Sequence, residues 1–500
     1  MVTGLSANDP VPGLNLLEVN LGAGAASLGA TQYSVLLMGN MTTGVGSPGV
    51  IYGPDTTTPM TSEADAIALF GSGSELHRGV RAFLEVNTTS SLYVIAVPDS
   101  GGADGYLAVA MSGAATASGA LRIWVGEEFV DTSIVTGDST TAIAAAAAAN
   151  INGKTHWAVT ALASGGGLQI SCKQSGPRGN DIRVLPQIIG NSIGVTVSPT
   201  VSTALSGGAT LDDNTAALAA IEPDRFYYIV SAASDATQVG ALLSQVNTQA
   251  LPLNGNRQRV FCGSVASLAS AITFGTGLNG ARAEVAWMFQ ADRTPFELAC
   301  STAAAYSLRE ASFTSKSCNF DSFGLDEQSK ALWKVKKPLS GAKPTRTQLK
   351  SALNNGLTPI AVSKSGATYI VSRATSKSQS ASLPDYRIRD GHKVSVCDFF
   401  ADDLILSYIA QFSGKLIGDD PVDNAPAPGP DVITPRVVKA CVAALVDVYA
   451  DRDLLQNRDQ IKAGIQVKRG TAPTTRFSVV IPLQTCDLLH QIETSLNQVA

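Results

Sequence analysis

The sequence predicts an α/β protein: a mostly parallel core sheet covered by helices, an inserted β-rich α+β domain, and extended arms at both ends. Short continuous apolar runs alternate with helical patterns, a Gly-, Ser-, Thr- and Ala-rich stretch interrupts this alternation, and the first residues hold few apolar side chains. Strands that alternate with helices are typical of parallel sheets. Because 500 residues exceed what one hydrophobic core normally organises, we expect several domains.

The N-terminal segment, residues 1–30, mixes Gly, Ala, Pro, Asn and Ser around one short apolar run, Leu14 to Val19. So few apolar side chains cannot build a core of their own. We therefore expect an extended N-terminal arm.

The first part of the core, residues 31–100, has the pattern of a β-α-β unit. Its two apolar runs have the length of buried strands, and Thr61 or Ser62 and then Ser74 are residue types that cap helices. The predicted elements are strands Tyr33–Met38 and Leu92–Val97 and helices that end at Phe70 and near Val86.

Residues 101–209 change in composition and predict an inserted domain. An alanine run gives its helix the highest intrinsic helix propensity. The predicted elements are strands Ala120–Val125, Glu128–Ile134, Ala158–Ala163 and Leu168–Lys173, with a helix at Asp138–Asn150.

The alternation resumes in residues 210–395, the second part of the core, and residues 396–500 form a predicted C-terminal domain that ends in an arm. The predicted strands are Phe226–Val230, Arg259–Gly263, Glu284–Phe289, Pro359–Val362, Tyr369–Ser372 and Arg476–Ile481. The predicted helices are Asp213–Ile221, Ala236–Gln249, Pro295–Glu310, Thr345–Asn354, Val396–Phe412 and Pro435–Ala450, with one further short helix after Gly263.

The composition narrows the class of partner. Lys and Arg total 36 against 41 Asp and Glu, a formal charge of -5, which argues against a general nucleic-acid or anionic-membrane binder. We expect a protein partner. No secretion signal or membrane-spanning run is evident, and seven cysteines without a CxxC pair predict reduced thiols in a cytosolic folding compartment.

Candidate catalytic residues are few. His77, His156, His392 and His490 do not adjoin a GxSxG-type nucleophile, so we expect ordinary surface or core-edge histidines. The segment Gly71–Ser74 precedes a helix but lacks the lysine of a phosphate loop, and Gly165–Gly167 is typical of a hairpin turn. The sequence therefore predicts no catalytic site and no cofactor.

Two groups of carboxylates invite a metal-site hypothesis. Asp402 and Asp403 are adjacent on a predicted helix and so point about 100 degrees apart, and Asp419, Asp420 and Asp423 lack the spacing of an EF-hand loop. We expect solvated acids and no metal site.

A basic stretch extends from Lys330 to Lys393, with thirteen Lys or Arg and only two acids. It has few interleaved aromatic residues, which disfavours nucleic-acid binding, and a contact with a charged protein surface fits better. The residues expected to make such charge contacts are Lys334, Lys336, Lys337 and Lys343.

Three segments together resemble tail sheath proteins of contractile phages of the Mu type. The inserted segment LRIWVGEEFVDTSIVTGDSTTAIAAAAAANINGKTHWAVTALASGGGLQISCKQSGPRGNDIRV has the family's order of hairpin, Ala-rich helix, second hairpin and Gly-x-x-Gly-Asn-Asp. TRTQLKSALNNGLTPIAVSKSGATYIVSRAT and RIRDGHKVSVCDFFADDLILSYIAQFSGKLIGDD resemble two later segments of the family. The resemblance spans roughly residues 30–500, with the N-terminus generic and the last residues matched mainly by position.

The resemblance implies a structural subunit and no enzyme. Its implied partners are further copies in stacked hexameric rings, a tail tube protein, and baseplate and tail terminator proteins. The ring stack would contract and drive the tube through a host cell envelope, without direct contact with nucleic acid or insertion into a membrane. The implied location is a virion tail assembled in the host cytoplasm.

The family's arms add strands to neighbouring subunits, and this chain has termini compatible with that. Main-chain hydrogen bonds link chains without a large hydrophobic patch, so a core-poor arm and a terminal strand suffice. The candidate residues for strand addition are Leu14, Leu16, Val19, Phe477, Val479 and Ile481.

Two other functions stay open at the level of sequence. The core resembles a subtilisin-like topology, which favours a degenerate hydrolase, although the residues of a catalytic triad are not apparent. A tail tube or capsid subunit would also assemble through strands, but the α/β alternation disfavours the β-dominated tube proteins.

Overall fold

The computed structural model describes residues 34–310, 334–421, 429–471 and 474–487. In these ranges the strands are β1 (Ser34–Asn40), β2 (Ile51–Tyr52), β3 (Ser91–Val97), β4 (Asp104–Gly113), β5 (Gly119–Val125), β6 (Glu128–Ile134), β7 (Val159–Ser164), β8 (Gly167–Ser175), β9 (Arg183–Ile189), β10 (Val195–Ser198), β11 (Thr203–Ala204), β12 (Tyr228–Ser231), β13 (Arg259–Ser264), β14 (Ala283–Trp287), β15 (Thr358–Val362), β16 (Thr368–Ile370), β17 (Gln379–Ser380), β18 (Leu383–Pro384), β19 (Leu416–Ile417), β20 (Val432–Ile433), β21 (Gln466–Arg469) and β22 (Phe477–Val480).

Along the chain, the helices of the described ranges alternate with these strands. They are α1 (Glu63–Phe70), α2 (Glu75–Leu84), α3 (Thr140–Asn152), α4 (Thr215–Ile221), α5 (Ala236–Gln249), α6 (Leu268–Leu278), α7 (Pro295–Glu310), α8 (Arg346–Asn354), α9 (Gly391–Phe412), α10 (Pro435–Asp451) and α11 (Arg458–Gly464).

The core is an eight-stranded sheet with the strand order β16-β15-β14-β13-β12-β1-β3-β2. The pairings from β15 through β3 are parallel, and only the two outermost strands, β16 and β2, pair antiparallel. The predicted α/β class is therefore confirmed. Helix starts follow the expected chemistry: the Ser62 and Ser74 side chains accept backbone N–H groups at the starts of α1 and α2.

Helices cover both faces of this sheet, as the alternation of side chains in β1 shows. Val35 and Leu37 belong to an apolar cluster with α1, α2, α7, α9 and α10, whereas Leu36 and Met38 belong to a second cluster with α4, α5, α6 and α8. Successive strand residues point to opposite faces. The continuous apolar run of β1 is thus explained by burial on both faces.

Residues 104–204 form two four-stranded antiparallel sheets, ordered β10-β4-β8-β7 and β11-β9-β5-β6, around α3. Their buried side chains form a third apolar cluster that takes no member from the core sheet. The chain leaves and rejoins the core at adjacent points, since the Ala209 N–H donates to the Ala103 carbonyl at 3.2 Å and Ser100 N–H donates to Asp212 at 2.8 Å.

Several element boundaries differ from the sequence predictions. Helix α9 begins at Gly391, five residues before the predicted Val396. Its first turn is buried although it contains the polar residues His392 and Ser395, so the sequence there shows no apolar helical pattern. Strand β14 ends at Trp287, before the predicted Phe289. Strand β4 was not predicted, since most of its side chains are exposed and give no apolar alternation.

Four buried charged side chains join separate parts of the chain. Glu284 on β14 contacts both Arg259 on β13 and Arg373. The Arg373 Nε donates to both carboxylate oxygens of Glu284 at 3.0 Å. Arg373 also contacts Glu310 at the end of α7, and all four residues are at most 3% exposed. The Ser395 hydroxyl of α9 donates to Glu310 at 2.8 Å and accepts from Arg259 at 2.6 Å.

The arginines of this cluster keep their charge despite burial. Burial, with the nearby charge of Arg373, lowers the pKa of Arg259 to about 10. Burial also lowers the pKa of Arg373, but the charges of Glu284 and Glu310 outweigh burial and raise it overall. Two positive and two negative side chains therefore balance one another inside the protein.

We predict that Glu284→Gln lowers the free energy of unfolding by about 3–5 kcal/mol, because it leaves two buried guanidinium groups short of a counter-charge. Urea unfolding followed by circular dichroism measures the change. Glu222→Gln, at an exposed glutamate, is the matched control and should unfold as the wild type does. Equal unfolding midpoints for Glu284→Gln and the control would contradict the structural role of the cluster.

Candidate assembly surfaces

The C-terminal hairpin pairs β21 with β22 in an antiparallel two-stranded sheet. The Gly470 N–H donates to the Arg476 carbonyl at 2.9 Å and fixes the phase of the ladder. Hydrogen-bonded pairs alternate along antiparallel strands, so Ser478 and Val480 direct their main-chain groups toward β21. Phe477 and Val479 direct theirs toward the opposite edge.

That opposite edge of β22 carries no further strand within the described residues. The side chains of Phe477, Val479 and Ile481 are half-buried, and Ile481 packs against the core, while Val480 is 58% exposed. Side chains thus hold the hairpin against the core, and no strand of the described residues pairs with these main-chain groups. The other residues expected in strand addition, Leu14, Leu16 and Val19, lie outside the described residues.

The four lysines expected to make charge contacts differ in their surroundings. Lys336 is tied within the chain: its Nζ donates to the Glu127 carbonyl at 3.0 Å and its N–H donates to the Glu127 carboxylate at 2.7 Å. The carbonyl of Lys334 accepts a bond from Arg293 at 3.3 Å. Lys337 and Lys343 are exposed and have no salt bridge among the described residues.

Ion pairs connect residues 104–204 with the core. Arg293, after β14, reaches Glu85 of the core at 2.8 Å and Glu127 of the β5–β6 turn at 3.0 Å. Arg81 on α2 reaches Glu128 at 3.2 Å, and these side chains line a cavity of about 220 Å³. The apolar clusters on the two sides are separate, and these ion pairs bridge them.

A second set of charges lies where the chain passes between the two parts. Arg178 contacts Glu75 at 2.8 Å and Asp212 at 2.6 Å, and all three side chains are largely buried. The Glu75 N–H donates to the Gln174 side chain at 3.0 Å. Buried charge pairs with additional hydrogen bonds define a geometry, because any other arrangement would leave a charge unpaired.

Asp292 lies in the wall of the cavity and is 4% exposed. Its carboxylate accepts the Leu339 N–H at 2.6 Å and the Ser202 hydroxyl at 3.4 Å. Burial raises the pKa of Asp292 to about 6, although these bonds and the charge of Arg183 oppose the rise. The neighbouring Glu127 also has a raised pKa, again because of burial.

His77 and His392 are more buried than the expected surface or core-edge histidines, whereas His156 is partly exposed as expected. His77 is fully buried, its Nδ1 accepts the Gly73 N–H at 3.0 Å, and its Nε2 lies 3.1 Å from Glu63. Burial lowers the pKa of His77. Among the described residues, no Ser, Thr or Cys side chain is hydrogen-bonded to a histidine ring, and His490 lies outside these residues.

The expectation of solvated acids is wrong for Asp402. It is 9% exposed and contacts Arg225 at 2.5 Å and Arg257 at 2.9 Å. One helical turn earlier, Asp398 contacts Arg282 at 2.7 Å. The three arginines precede β12, β13 and β14, so charge pairs hold helix α9 at the N-terminal ends of these three core strands.

The remaining carboxylates of the metal hypothesis also have protein partners. Asp403 accepts the Tyr449 hydroxyl at 2.6 Å, Asp419 contacts Arg469 at 2.8 Å, and Asp420 accepts the Arg436 N–H at 3.0 Å. Asp423 lies outside the described residues. No group of three or more His, Cys, Asp or Glu in the described part of the chain has a metal-binding arrangement.

In the described ranges, each helix is too short or too polar to cross a bilayer.

One curated relative supports the resemblance found in the sequence. The chain is 24% identical over 185 residues to the "Mu-like prophage FluMu tail sheath protein" of Haemophilus influenzae. The match covers 37% of this chain and 38% of that protein's length. The predicted resemblance to Mu-type tail sheath proteins is confirmed by this match, whereas no protein-family model matches the chain.

Solved structures of sheath proteins are similar at low identity. The sheath tail protein of Listeria innocua gives a TM-score of 0.49 at 13% identity and covers 92% of this chain and 93% of its own. The sheath tail protein of Desulfitobacterium hafniense gives 0.45 at 13% identity, covering 94% and 100%. The contracted helical sheath of the anti-feeding prophage gives 0.47 at 12% identity, covering 98% and 99%.

We predict that Asp292 makes the protein less stable as the pH rises from about 4 to about 6. A carboxyl whose pKa is higher in the folded than in the unfolded chain favours folding when protonated, and that contribution is lost as it ionises. Relative to Asp292→Asn, the wild type should lose about 3 kcal/mol of unfolding free energy across this window, since each pKa unit corresponds to about 1.4 kcal/mol.

Urea unfolding of both proteins at several pH values tests this. Glu127, whose charge contributes to the raised pKa of Asp292, is present in both proteins. Asp131→Asn is a control with the opposite sign, because the bond from Arg122 lowers the pKa of Asp131. Parallel stability curves for the wild type and Asp292→Asn would overturn the prediction.

Proposed function

We propose that this chain is the structural subunit of a contractile tail sheath. It polymerises as stacked hexameric rings around an inner tail tube and contracts to drive the tube through the host cell envelope. The three family-like segments and the name of the curated relative support the proposal. The observation in the structure that carries it is the C-terminal hairpin, because one edge of β22 pairs with no strand of the described residues and is suited to linking subunits.

The division into domains is part of the proposal. Residues 31–100 and 210–395 form the core with its subtilisin-like topology, residues 101–209 the inserted outer domain, and residues 396–500 the C-terminal sheath domain. Residues 1–30 form the N-terminal arm. The separate apolar cluster of the inserted part and the single sheet shared by both core parts support these limits.

Strand addition links the subunits in this proposal. An arm around Leu14, Leu16 and Val19 of one subunit pairs with the edge formed by Phe477, Val479 and Ile481 of another. Main-chain hydrogen bonds give such a link strength without requiring a large apolar surface. The link can also persist while the domains reorient, because it depends on a short hairpin and an extended arm.

Contraction requires two lattices of different free energy. If the extended lattice is kinetically trapped above the contracted one, the free energy stored at assembly drives shortening without ATP. Each subunit must then move as a rigid unit. The buried charge cluster and the pairing of α9 with the core sheet support such rigidity.

The proposed partners are further copies of the chain, the tail tube protein, and the baseplate and tail terminator proteins. Assembly takes place in the host cytoplasm, and the product is part of the virion tail. Lys334, Lys336, Lys337 and Lys343 are proposed for charge contacts with the tube or a neighbour. All four are exposed, and the Lys336 side chain is tied to Glu127 within the chain.

We predict that Val479→Pro prevents the formation of sleeves and leaves a folded monomer. Proline removes the N–H that faces the open edge of β22, but removes no hydrogen bond to β21. Val479→Thr is the matched control, since it keeps the N–H and the β-branched shape. Sedimentation velocity and negative-stain microscopy report assembly, and circular dichroism reports folding.

The outcomes separate two claims. Sleeves formed by Val479→Pro would contradict strand addition at this edge. A wild-type protein that stays monomeric at high concentration would contradict the sheath function itself.

A further inference from the structure

One face of the core sheet is covered by four helices in a row. Helix α4 lies against β3, α5 against β13, α6 against β14 and α8 against β15, and their inward side chains belong to one apolar cluster. Their order across the sheet follows the order of these strands. The helices therefore form a single layer with two ends, α4 at one end and α8 at the other.

The charges of this layer are separated by sign. At the α4 end, residues 211–224 contain acids and no Lys or Arg, and Asp213 and Glu222 are exposed. At the α8 end, residues 340–357 contain no acid, and Lys343, Arg346 and Lys350 are exposed. The two helices between, α5 and α6, contain no Asp, Glu, Lys or Arg.

The two ends are too far apart to neutralise each other. Five strand spacings separate β3 from β15, or about 24 Å at about 4.8 Å per spacing. Charges separated by more than the Debye length, about 8 Å at physiological salt, are largely screened. The layer is thus electrically polarised along the sheet.

The surface between the ends presents small uncharged side chains. Exposed residues include Ala241, Ser244 and Asn247 on α5 and Ala269 and Thr273 on α6. A protein that covers this surface need not remove a charged side chain from water, which lowers the cost of contact. The charged side chains that would set the register of a contact with this layer therefore lie at its α4 and α8 ends.

We propose that the acidic α4 end of this layer docks on the basic α8 end of a second copy of the chain. The chain itself supplies both complementary surfaces, so the contact is heterologous and can repeat from copy to copy, as an open array or a ring requires. Opposite charges steer such docking and fix its register. The inference rests on the proposed assembly function and identifies one contact within that assembly.

Two variants with complementary changes test the contact. Arg346→Glu/Lys350→Glu makes both ends acidic. Asp213→Asn/Glu222→Lys/Asp224→Asn removes the exposed acids of the α4 end and adds a lysine, so that both ends are basic. Asn at position 213 keeps an oxygen that can accept the Thr215 N–H, which Asp213 accepts at 2.9 Å. Neither variant should assemble alone, whereas an equimolar mixture should restore sleeves by alternating the two.

Lys154→Glu/Lys364→Glu is the control for net charge, since both lysines are exposed and lie outside the layer. It should assemble as the wild type does, and circular dichroism should show that every variant is folded. Sedimentation velocity and negative-stain microscopy measure assembly. The contact is wrong if either layer variant assembles alone, or if two folded variants stay monomeric when mixed. Failure of the wild type to form sleeves would instead contradict the proposed function.

Discussion

The buried charge cluster of Arg259, Glu284, Arg373 and Glu310 is the constraint on which the rest of the core depends. It joins two central strands, the end of α7, the segment after β16 and, through Ser395, helix α9. Each charge is balanced only when all these segments are in place, because a buried charge without its partner is costly. Segments far apart in sequence are therefore ordered together.

Charge pairs also decide how the larger parts of the molecule meet. The row of Arg225, Arg257 and Arg282 binds two carboxylates of α9, and Arg293 binds the turn that precedes β6. Apolar contacts build each part, while directional charged contacts orient the parts. This combination gives the described part of the chain a defined shape without one continuous hydrophobic core.

The sequence predicted those features that depend on local chemistry. The apolar run of β1, the Ser62 and Ser74 helix caps and the alternation in β5 all have physical causes within a few residues. The pairing of Asp402 was missed, because its partners lie 145 and 177 positions away in the chain. A signal was present, since Asp398 and Asp402 are one helical turn apart and an arginine precedes each of three core strands, but only the folded sheet brings these together. The edge of β22 that pairs with no described strand was likewise missed, because it is defined by the pairing with β21, a strand too polar to predict.

The place where residues 104–204 leave and rejoin the core has a consequence for how such chains diversify. The two connections are close enough for Ala103 and Ala209 to share a hydrogen bond, and the segment between them has its own apolar interior. A short turn can span such a gap, because closing a loop between neighbouring points has a small entropic cost. A different domain can therefore occupy this position while the eight-stranded sheet keeps its strand order, provided that it supplies partners for the buried Glu75 and Asp212, which Arg178 pairs in this chain.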